Sequence, residues 1–500
     1  LFLLVSKPCP VCSHFALGID NMSTVILGGG IIGLSTAYYL SLARSSSSSS
    51  SSSGTSTESS TIHIVDSSPA LLASASGYAG GFLALDWFNP SVASLGALSF
   101  RLHRELAEKH NGPRKWGYAG SHVYSLNVNE DYDVDGTGRK KKKKSNGGDW
   151  VLEGTSRAGV VANRSNSETK AEGNNGHLTA GMGDILINPD GTPAVFTPQA
   201  GGTLETIAGP EECAQVEPRE LCEFLLEECK KRGVQVHLST TATEVVTDER
   251  GILKGLKLKS TASHHGAEAT LSEIECKDVV ISAGAWTPGV FSMLFPHSNL
   301  RIPISPLAGH SIVVKSPRYK TPFVDVAQRR IGGGSDNWLC YSIYCAPGRH
   351  WSYAPEAYAR LARNGETELW LGGLNDSTLP LPDLAVDAKG MIDPESTKSL
   401  RKTTVQLAGL SKEGDDLNQD DLETVREALC FRPISNSGNP VIGRVTEKDL
   451  GGVKVGDGGV WIASGHGPWG ITLSLGTGLV MTELLSGKKT SADIKSLQVR

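Results

Sequence analysis

Five hundred residues exceed what one small core organises, so two or more domains are expected. Charged residues make up 20% of the chain and the net charge is −5, which argues against nucleic acid as the main partner. No apolar run reaches the length of a membrane span, and nine scattered cysteines fit a reducing compartment such as the cytoplasm better than a disulfide scaffold.

Residues 1–21, ahead of Met22, read as a disordered extension. Cys9 and Cys12 lie there as C-x-x-C, but no second pair follows at zinc spacing, so no metal site is expected. The stretch Thr24–Leu40 then organises the chain. Val25, Ile26 and Leu27 form a short apolar run of the kind a parallel strand covered on both faces requires. Gly28, Gly30 and Gly33 fit G-x-G-x-x-G: a tight turn, a close approach of backbone to a pyrophosphate, and close packing of helix on strand. The helix that follows points its N–H groups and positive end at the phosphates. A second strand, Thr61–Val65, ends in Asp66, placed to accept from a ribose hydroxyl. The usual spacing to that acid is about 20 residues. The excess here falls in a serine run, Ser45–Ser53, read as a loop inserted between helix and strand.

Small residues dominate Ala73–Gly81, so backbone can line a ligand there. Leu95, Leu98, Leu102 and Leu106 repeat at helical spacing and predict a core helix. Trp116–Val128 reads as strand. The lysine run Lys140–Lys144 and the polar stretch Asn163–Gly176 read as solvated insertions. Pro218 opens a helix with Leu221, Phe224 and Leu225 inward, closed by Gly233. Strands are expected at Val234–Leu238 and Thr243–Val246, then a small meander through Leu253–Leu258 and Thr270–Cys276. His264 and His265 fall in a polar turn and read as solvated.

Asp278–Ala283 predicts a buried strand that ends at Gly284-Ala285-Trp286. From Leu300 to about Leu422 the chain is strand-rich, and Asp420–Leu429 reads as a helix leading back to the core. Val460–Gly478 repeats the plan of strand, glycine turn and helix. Ser474 and Gly478, one helical turn apart, let that helix lie close to a neighbour.

The blocks ILGGGIIG, Asp66, ASGYAGG, AGAW, FRP…NPVIG and GHGPWGIT, in this order, resemble those of the D-amino-acid oxidase/glycine oxidase family of FAD-dependent oxidoreductases, which includes sarcosine and fructosyl-amine oxidases. The chain is most similar to a fungal branch of it, and the blocks span nearly all of Val25–Gly487. The resemblance implies an α/β fold: a Rossmann-like FAD-binding domain (parallel sheet plus β-meander) with a second, antiparallel-sheet α+β substrate domain. The expected partition is 22–110, 206–290 and 423–492 for the first, and 111–205 and 291–422 for the second.

FAD is the implied cofactor. Gly28, Gly30, Ile31, Ile32, Gly33, Asp66 and Ser67 would hold its ADP half. Ser76, Gly80 and Gly81 would lie along the flavin, and Gly467, Trp469, Gly470, Ile471 and Thr472 would meet its pyrimidine edge. Val245, Ala283, Gly284 and Trp286 complete the expected contacts. The helix starting near Gly470 points positive charge at that edge, which stabilises anionic reduced flavin. Family chemistry implies hydride removal from the carbon beside an amine, with molecular oxygen reoxidising the flavin to give hydrogen peroxide.

Arg432, in Phe431-Arg432-Pro433, matches the family's substrate-carboxylate arginine, a role that suits a planar bidentate donor. The residue's alternative is a salt bridge. His466 and His310 are candidate bases, although a hydrogen-bonded core histidine is the commoner outcome. Non-covalent FAD is expected, with a Cys430 thioether as the alternative. Two other functions remain open: a flavin-binding protein with an interaction or trafficking role, and an FAD dehydrogenase with a non-oxygen acceptor.

Overall fold

The computed structural model describes residues 23–48, 60–128, 188, 192–261, 271–320, 340–362, 365–411 and 417–499. The expectations for residues 1–21, Lys140–Lys144, Asn163–Gly176, His264 and His265 lie outside them.

The chain opens with β1 (Thr24–Leu27), α1 (Ile31–Ser48), β2 (Ile62–Val65), α2 (Ala75–Tyr78), β3 (Phe82–Ala84), α3 (Pro90–His110), α4 (Gly112–Trp116) and β4 (Ala119–Asn127). It continues through β5 (Thr203–Ala208), β6 (Cys213–Gln215), α5 (Pro218–Lys231), β7 (Gln235–His237), β8 (Thr240–Thr247), β9 (Leu253–Ser260), β10 (Leu271–Glu275), β11 (Asp278–Ile281) and α6 (Thr287–Leu294). The last part holds β12 (Ile304–Lys315), β13 (Cys340–Cys345), β14 (Glu356–Leu361), β15 (Thr367–Asp376), α7 (Pro394–Ala408), β16 (Glu423–Ser435), β17 (Val441–Arg444), β18 (Gly459–Ser464) and α8 (Gly470–Leu485).

Three sheets result. The first has six strands in the order β17-β18-β11-β1-β2-β7, parallel except for β17 at the edge. Every residue of β1, β2, β11 and β18 is buried, as a parallel sheet covered on both faces demands. One face packs on α1, α3, α5 and α8. The other packs on the antiparallel meander β10-β9-β8 and on α6. Helix α8 is gripped closely: a Cβ on Gly478 would lie 2.5 Å from the Ser35 backbone of α1, and one on Gly476 would lie 2.9 Å from Ser99 of α3. The expected close approach at Gly478 is therefore met.

The third sheet is mixed, with nine strands ordered β16-β12-β15-β14-β13-β4-β6-β3 and β5 paired to β4. Its two faces carry separate cores. Ile312, Ile343 and Leu371 pack under α7 on one, while Val313, Tyr344, Tyr358 and Trp370 meet Phe82 and Trp87 on the other.

Two expectations fail here. Asp420–Leu429 is not a helix: β16 begins at Glu423 and pairs with β12 from Ile304↔Ser435 to Lys315↔Glu423. Glu, Ala and Leu favour helix locally, but propensity is worth only tenths of a kcal/mol per residue, and a long ladder with one buried face outweighs it. The serine run is not all loop either. Helix α1 continues through Ser48, and the hydroxyls of Ser45 and Ser46 donate to the carbonyls of Ser41 and Leu42. Each of these hydroxyls is satisfied on a carbonyl of the preceding helical turn.

Candidate functional site

A cavity of about 540 Å³ runs between the first sheet and the third. Its walls differ in construction. At one end the backbone does the shaping. Gly28 has φ 110°, and a Cβ there would lie 2.6 Å from the Ser282 carbonyl. A Cβ on Gly33 would lie 2.0 Å from the Gly28 carbonyl. Thus Gly33 lies behind the wall and seats the helix, while Gly28, Gly30, Ile31 and Ile32 face the cavity. Asp66 ends β2 where expected: its Oδ2 accepts from the Gly29 N–H at 2.9 Å and its Oδ1 from the Ser68 N–H at 2.9 Å. Burial pushes its pKa up, opposed by these two hydrogen bonds. Ser67 lines the wall beside it.

The middle is formed by the small-residue segment. Ser76 Oγ accepts from the Ile31 N–H at 2.9 Å and so ties α2 to the start of α1. Gly81 has φ 88°, and a Cβ on Gly80 would lie 2.4 Å from the Tyr358 ring. Opposite, Ala283, Gly284 and Trp286 line the wall, and Trp286 Nε1 donates to the Pro382 carbonyl at 2.7 Å. At the start of α8, Gly467, Gly470 and Ile471 face the cavity.

Three expected contacts are corrected. Val245 packs into the core beneath the meander, and Thr240, Thr241 and Ala242 of β8 reach the cavity instead. Trp469 turns away to meet Phe88 edge-on, with ring centroids 4.9 Å apart. Thr472 is buried and donates to the Phe82 carbonyl at 3.0 Å. Val245 lies further along β8 than the cavity reaches, and the Trp469 and Thr472 side chains are turned to Phe88 and to the Phe82 carbonyl.

At the far end side chains form the wall. Arg432, Cys430 and Gly309 lie on the cavity face of the third sheet. Arg432 Nη1 donates to Asn375 Oδ1 at 2.5 Å, and the guanidinium lies over Gly309, where a Cβ would come within 2.0 Å of Nη1. Glycine at that position makes room for the arginine. The Cys430 thiol is buried, and burial pushes its pKa up.

His466 is buried against the same cavity, with Nε2 3.0 Å from Thr477 Oγ1. Burial lowers its pKa to about 3, so it is neutral at physiological pH and poorly suited to act as a base. His310 is on the opposite face from Gly309 and Ser311, and its Nε2 accepts from the Asp393 N–H at 3.2 Å.

Sequence reading missed Asn375, Glu356, Tyr358 and Trp370. Tyr358 stacks between Phe82 and Trp370, with centroids 5.8 and 5.1 Å away. It also missed Arg360, which is 1% exposed, 3.3 Å from both Glu217 and Glu368, and donates to the Gly80 carbonyl at 3.4 Å. The alternation Glu356, Tyr358, Arg360 on β14 was the available signal.

These residues suit an elongated ligand with a pyrophosphate and polar ring edges. Two glycines give the backbone its close approach, an acid stands at the ribose position, and α8 aims its positive end at the cavity. Ser68 Oγ, Ser74 Oγ and His466 Nδ1, all on lining residues, are buried with no hydrogen-bond partner among the described residues. Orphaned polar atoms of this kind await a polar ligand.

Comparison with known proteins agrees. The family described as "DAO: FAD dependent oxidoreductase" matches residues 23–484. The "Putative oxidoreductase C1F5.03c" of Schizosaccharomyces pombe is 28% identical over 489 residues, covering 96% of this chain and 98% of its own length. The "Putative oxidoreductase TDA3" of Saccharomyces cerevisiae is 24% identical over 551 residues, covering 95% and 93%. The fold is similar to that of glycine oxidase from Geobacillus kaustophilus, with a TM-score of 0.57 at 16% identity over 96% of this chain and 98% of that one. No helix among the described residues is long and apolar enough to cross a membrane. With the family match running from β1 into α8, over a cavity whose ends suit a flavin dinucleotide, the chain belongs to the DAO family of FAD-dependent oxidoreductases, and FAD is its cofactor.

Proposed function

We propose that this protein oxidises the carbon–nitrogen bond of an amino acid or secondary amine, with molecular oxygen as the final acceptor. The observation that carries the reading is Arg432: a guanidinium on the wall of the cofactor cavity, held by Asn375 over a glycine. The similarity in fold to a glycine oxidase is consistent with it.

Bound FAD supplies the two-electron acceptor, so no protein nucleophile is required. Arg432 pairs with the substrate carboxylate through its planar fork and fixes which carbon faces the flavin. Asn375 holds the guanidinium in place. The stacked rings of Phe82, Tyr358 and Trp370 keep water from that side of the wall. His466, neutral, offers Nδ1 as a hydrogen-bonding group instead of a base. Gly28, Gly30 and Asp66 would hold the ADP half, and the α8 N-terminus would face the pyrimidine edge. We assign non-covalent attachment, a cytoplasmic location, and a flavin-binding part (22–110, 206–290 and 423–492) set against a substrate part (111–205 and 291–422).

The test is anaerobic mixing of the holoprotein with glycine, sarcosine, both enantiomers of the amino acids, and fructosyl amines. Bleaching of the flavin, followed by peroxide on admitting air, is the expected result. A flavin that stays oxidised across the panel overturns the catalytic reading in favour of a binding role. Bleaching without reoxidation by air overturns oxygen as acceptor.

A further inference from the structure

The segment Tyr78–Gly81, which lines the cavity, has its carbonyls held from behind. The Tyr78 carbonyl accepts from Trp370 Nε1 at 3.0 Å, and the Gly81 carbonyl accepts from the Val216 N–H at 3.0 Å. The Gly80 carbonyl has two donors, Gln215 Nε2 and, at 3.4 Å, Arg360 Nη1. Both donor side chains are buried, and neither lines the cavity. A trans peptide points its C=O and its N–H in opposite directions. The N–H of that peptide, which belongs to Gly81, therefore looks away from Arg360, to the side on which Gly80 and Gly81 line the cavity.

Arg360 brings charge to this point. It stands directly across from Glu368 in the β14–β15 ladder, and its Nη2 is 3.3 Å from Glu368 and from Glu217. The other oxygen of Glu217 accepts from the Glu220 N–H at 2.8 Å and caps α5. Arg219 and Arg426 complete the group, their guanidiniums 5.8 and 5.4 Å from the centroid of the Tyr78 ring. Burial, and after it the Arg360 charge, lowers the Arg426 pKa, with Glu217 and Glu368 opposing. Three guanidiniums and two carboxylates thus gather behind one stretch of cavity wall. Arginine keeps its proton in proteins, so the group carries a net positive charge.

We propose that this buried group raises the reduction potential of the bound flavin, with Arg360 acting on the ring through the Gly80–Gly81 peptide. Uptake of two electrons and one proton leaves a flavin ring with one negative charge. A net positive group close by, in surroundings of low dielectric, favours that state over the neutral oxidised ring. Arg360 does not line the cavity, so its part is that of a positioning residue that acts through backbone. The inference rests on FAD as the cofactor and is independent of which substrate is oxidised.

The experiment measures the midpoint potential of the holoprotein flavin by equilibration with a reference dye, in wild type, Arg360→Gln and Glu368→Gln. The two variants remove charges of opposite sign from one ion pair. Arg360→Gln is expected to lower the equilibrium constant for two-electron reduction at least about 10-fold, or about 30 mV. Glu368→Gln is expected to raise it. A purely structural role predicts FAD loss or a lower Tm in both variants, without opposite shifts in potential. A potential that does not fall in Arg360→Gln overturns the inference, and so does one that does not rise in Glu368→Gln. If Arg360→Gln gives no soluble holoprotein, Arg426→Gln decides. Arg426 Nε and Nη2 are buried with no hydrogen-bond partner among the described residues, so this variant removes charge with little else. A lower potential supports the inference, and an unchanged one overturns it. Failure of amine oxidation leaves the test intact, because the dye couple needs no substrate.

Discussion

The two ends of the cavity are built from different materials. Around Gly28–Gly33 and the start of α8 the ligand meets backbone: a glycine turn, amide groups and helix ends, with packing at Gly28 and Gly33 that leaves no room for a Cβ. Around Arg432 the ligand meets side chains carried on β12, β14, β15 and β16 of an open sheet. A backbone-built site tolerates few substitutions, because each acts on the fold itself. A side-chain-built site can change specificity while the sheet beneath it stays intact. The same division is expected to govern how mutations sort between cofactor loss and activity loss.

Gly33→Val should break the backbone end outright. The new Cβ would lie 2.0 Å from the Gly28 carbonyl, in the turn that joins β1 to α1. Neither element can retreat, since both are buried. The expected loss is above about 4 kcal/mol, seen as colourless or insoluble protein. A yellow, stable Gly33→Val variant would remove the contrast between the two ends.

Arg432→Ala should do the opposite: normal FAD content with kcat/KM lower by at least about 100-fold on carboxylate substrates. Arg432→Lys should recover only part, because an ammonium lacks the paired fork. Cofactor loss in Arg432→Ala, measured from the ratio of flavin to protein absorbance, would place Arg432 at the wrong end.

The buried histidines sharpen the comparison by pH. His103, whose Nε2 is 2.9 Å from the Ile471 carbonyl, braces the first turn of α8, and burial lowers its pKa to about 4. His466 is lowered to about 3. Both folded values lie below the unfolded 6.5, so each contributes stability that is fully present above about pH 6.5 and is lost as pH falls toward its folded pKa. The slope is about 1.4 kcal/mol per pH unit per group. Tm should therefore fall below about pH 6.5, and His103→Gln should flatten that fall only by one group's share, since His63 is also lowered to about 4 and His110, His237 and His310 are lowered as well.

The smallest effect is expected at Cys430. Acid precipitation should leave the flavin in the supernatant, and Cys430→Ser should keep wild-type FAD content. A yellow pellet would mean a thioether, which would tie the side-chain end covalently to the cofactor.

Legibility in the sequence followed the same division. Gly28, Gly30, Asp66, Gly80, Gly284 and Gly470 were all readable, because a backbone site is continuous in sequence and constrains residue type at each step. Arg432 was readable only through its resemblance to a family block. Asn375, Glu356 and Trp370 were not readable at all. They are separated in sequence and come onto one sheet only when β12, β14 and β15 pair. The misread of β16 as a helix has the same origin, since its strand character comes from β12.

By itself, then, the sequence determined the β1 turn, the acid at the end of β2, the alternation of strands and helices around them, and the second glycine turn before α8. Each of these rests on local physics: the φ a glycine permits, the period of apolar residues, the polarity of a helix end. Tertiary structure alone decided which face of each strand looks into the cavity, that Gly309 leaves space for Arg432, and that Tyr358 holds Glu356. Those depend on register, and a shift of one residue in any of these ladders would turn the same side chains to the opposite face of the sheet.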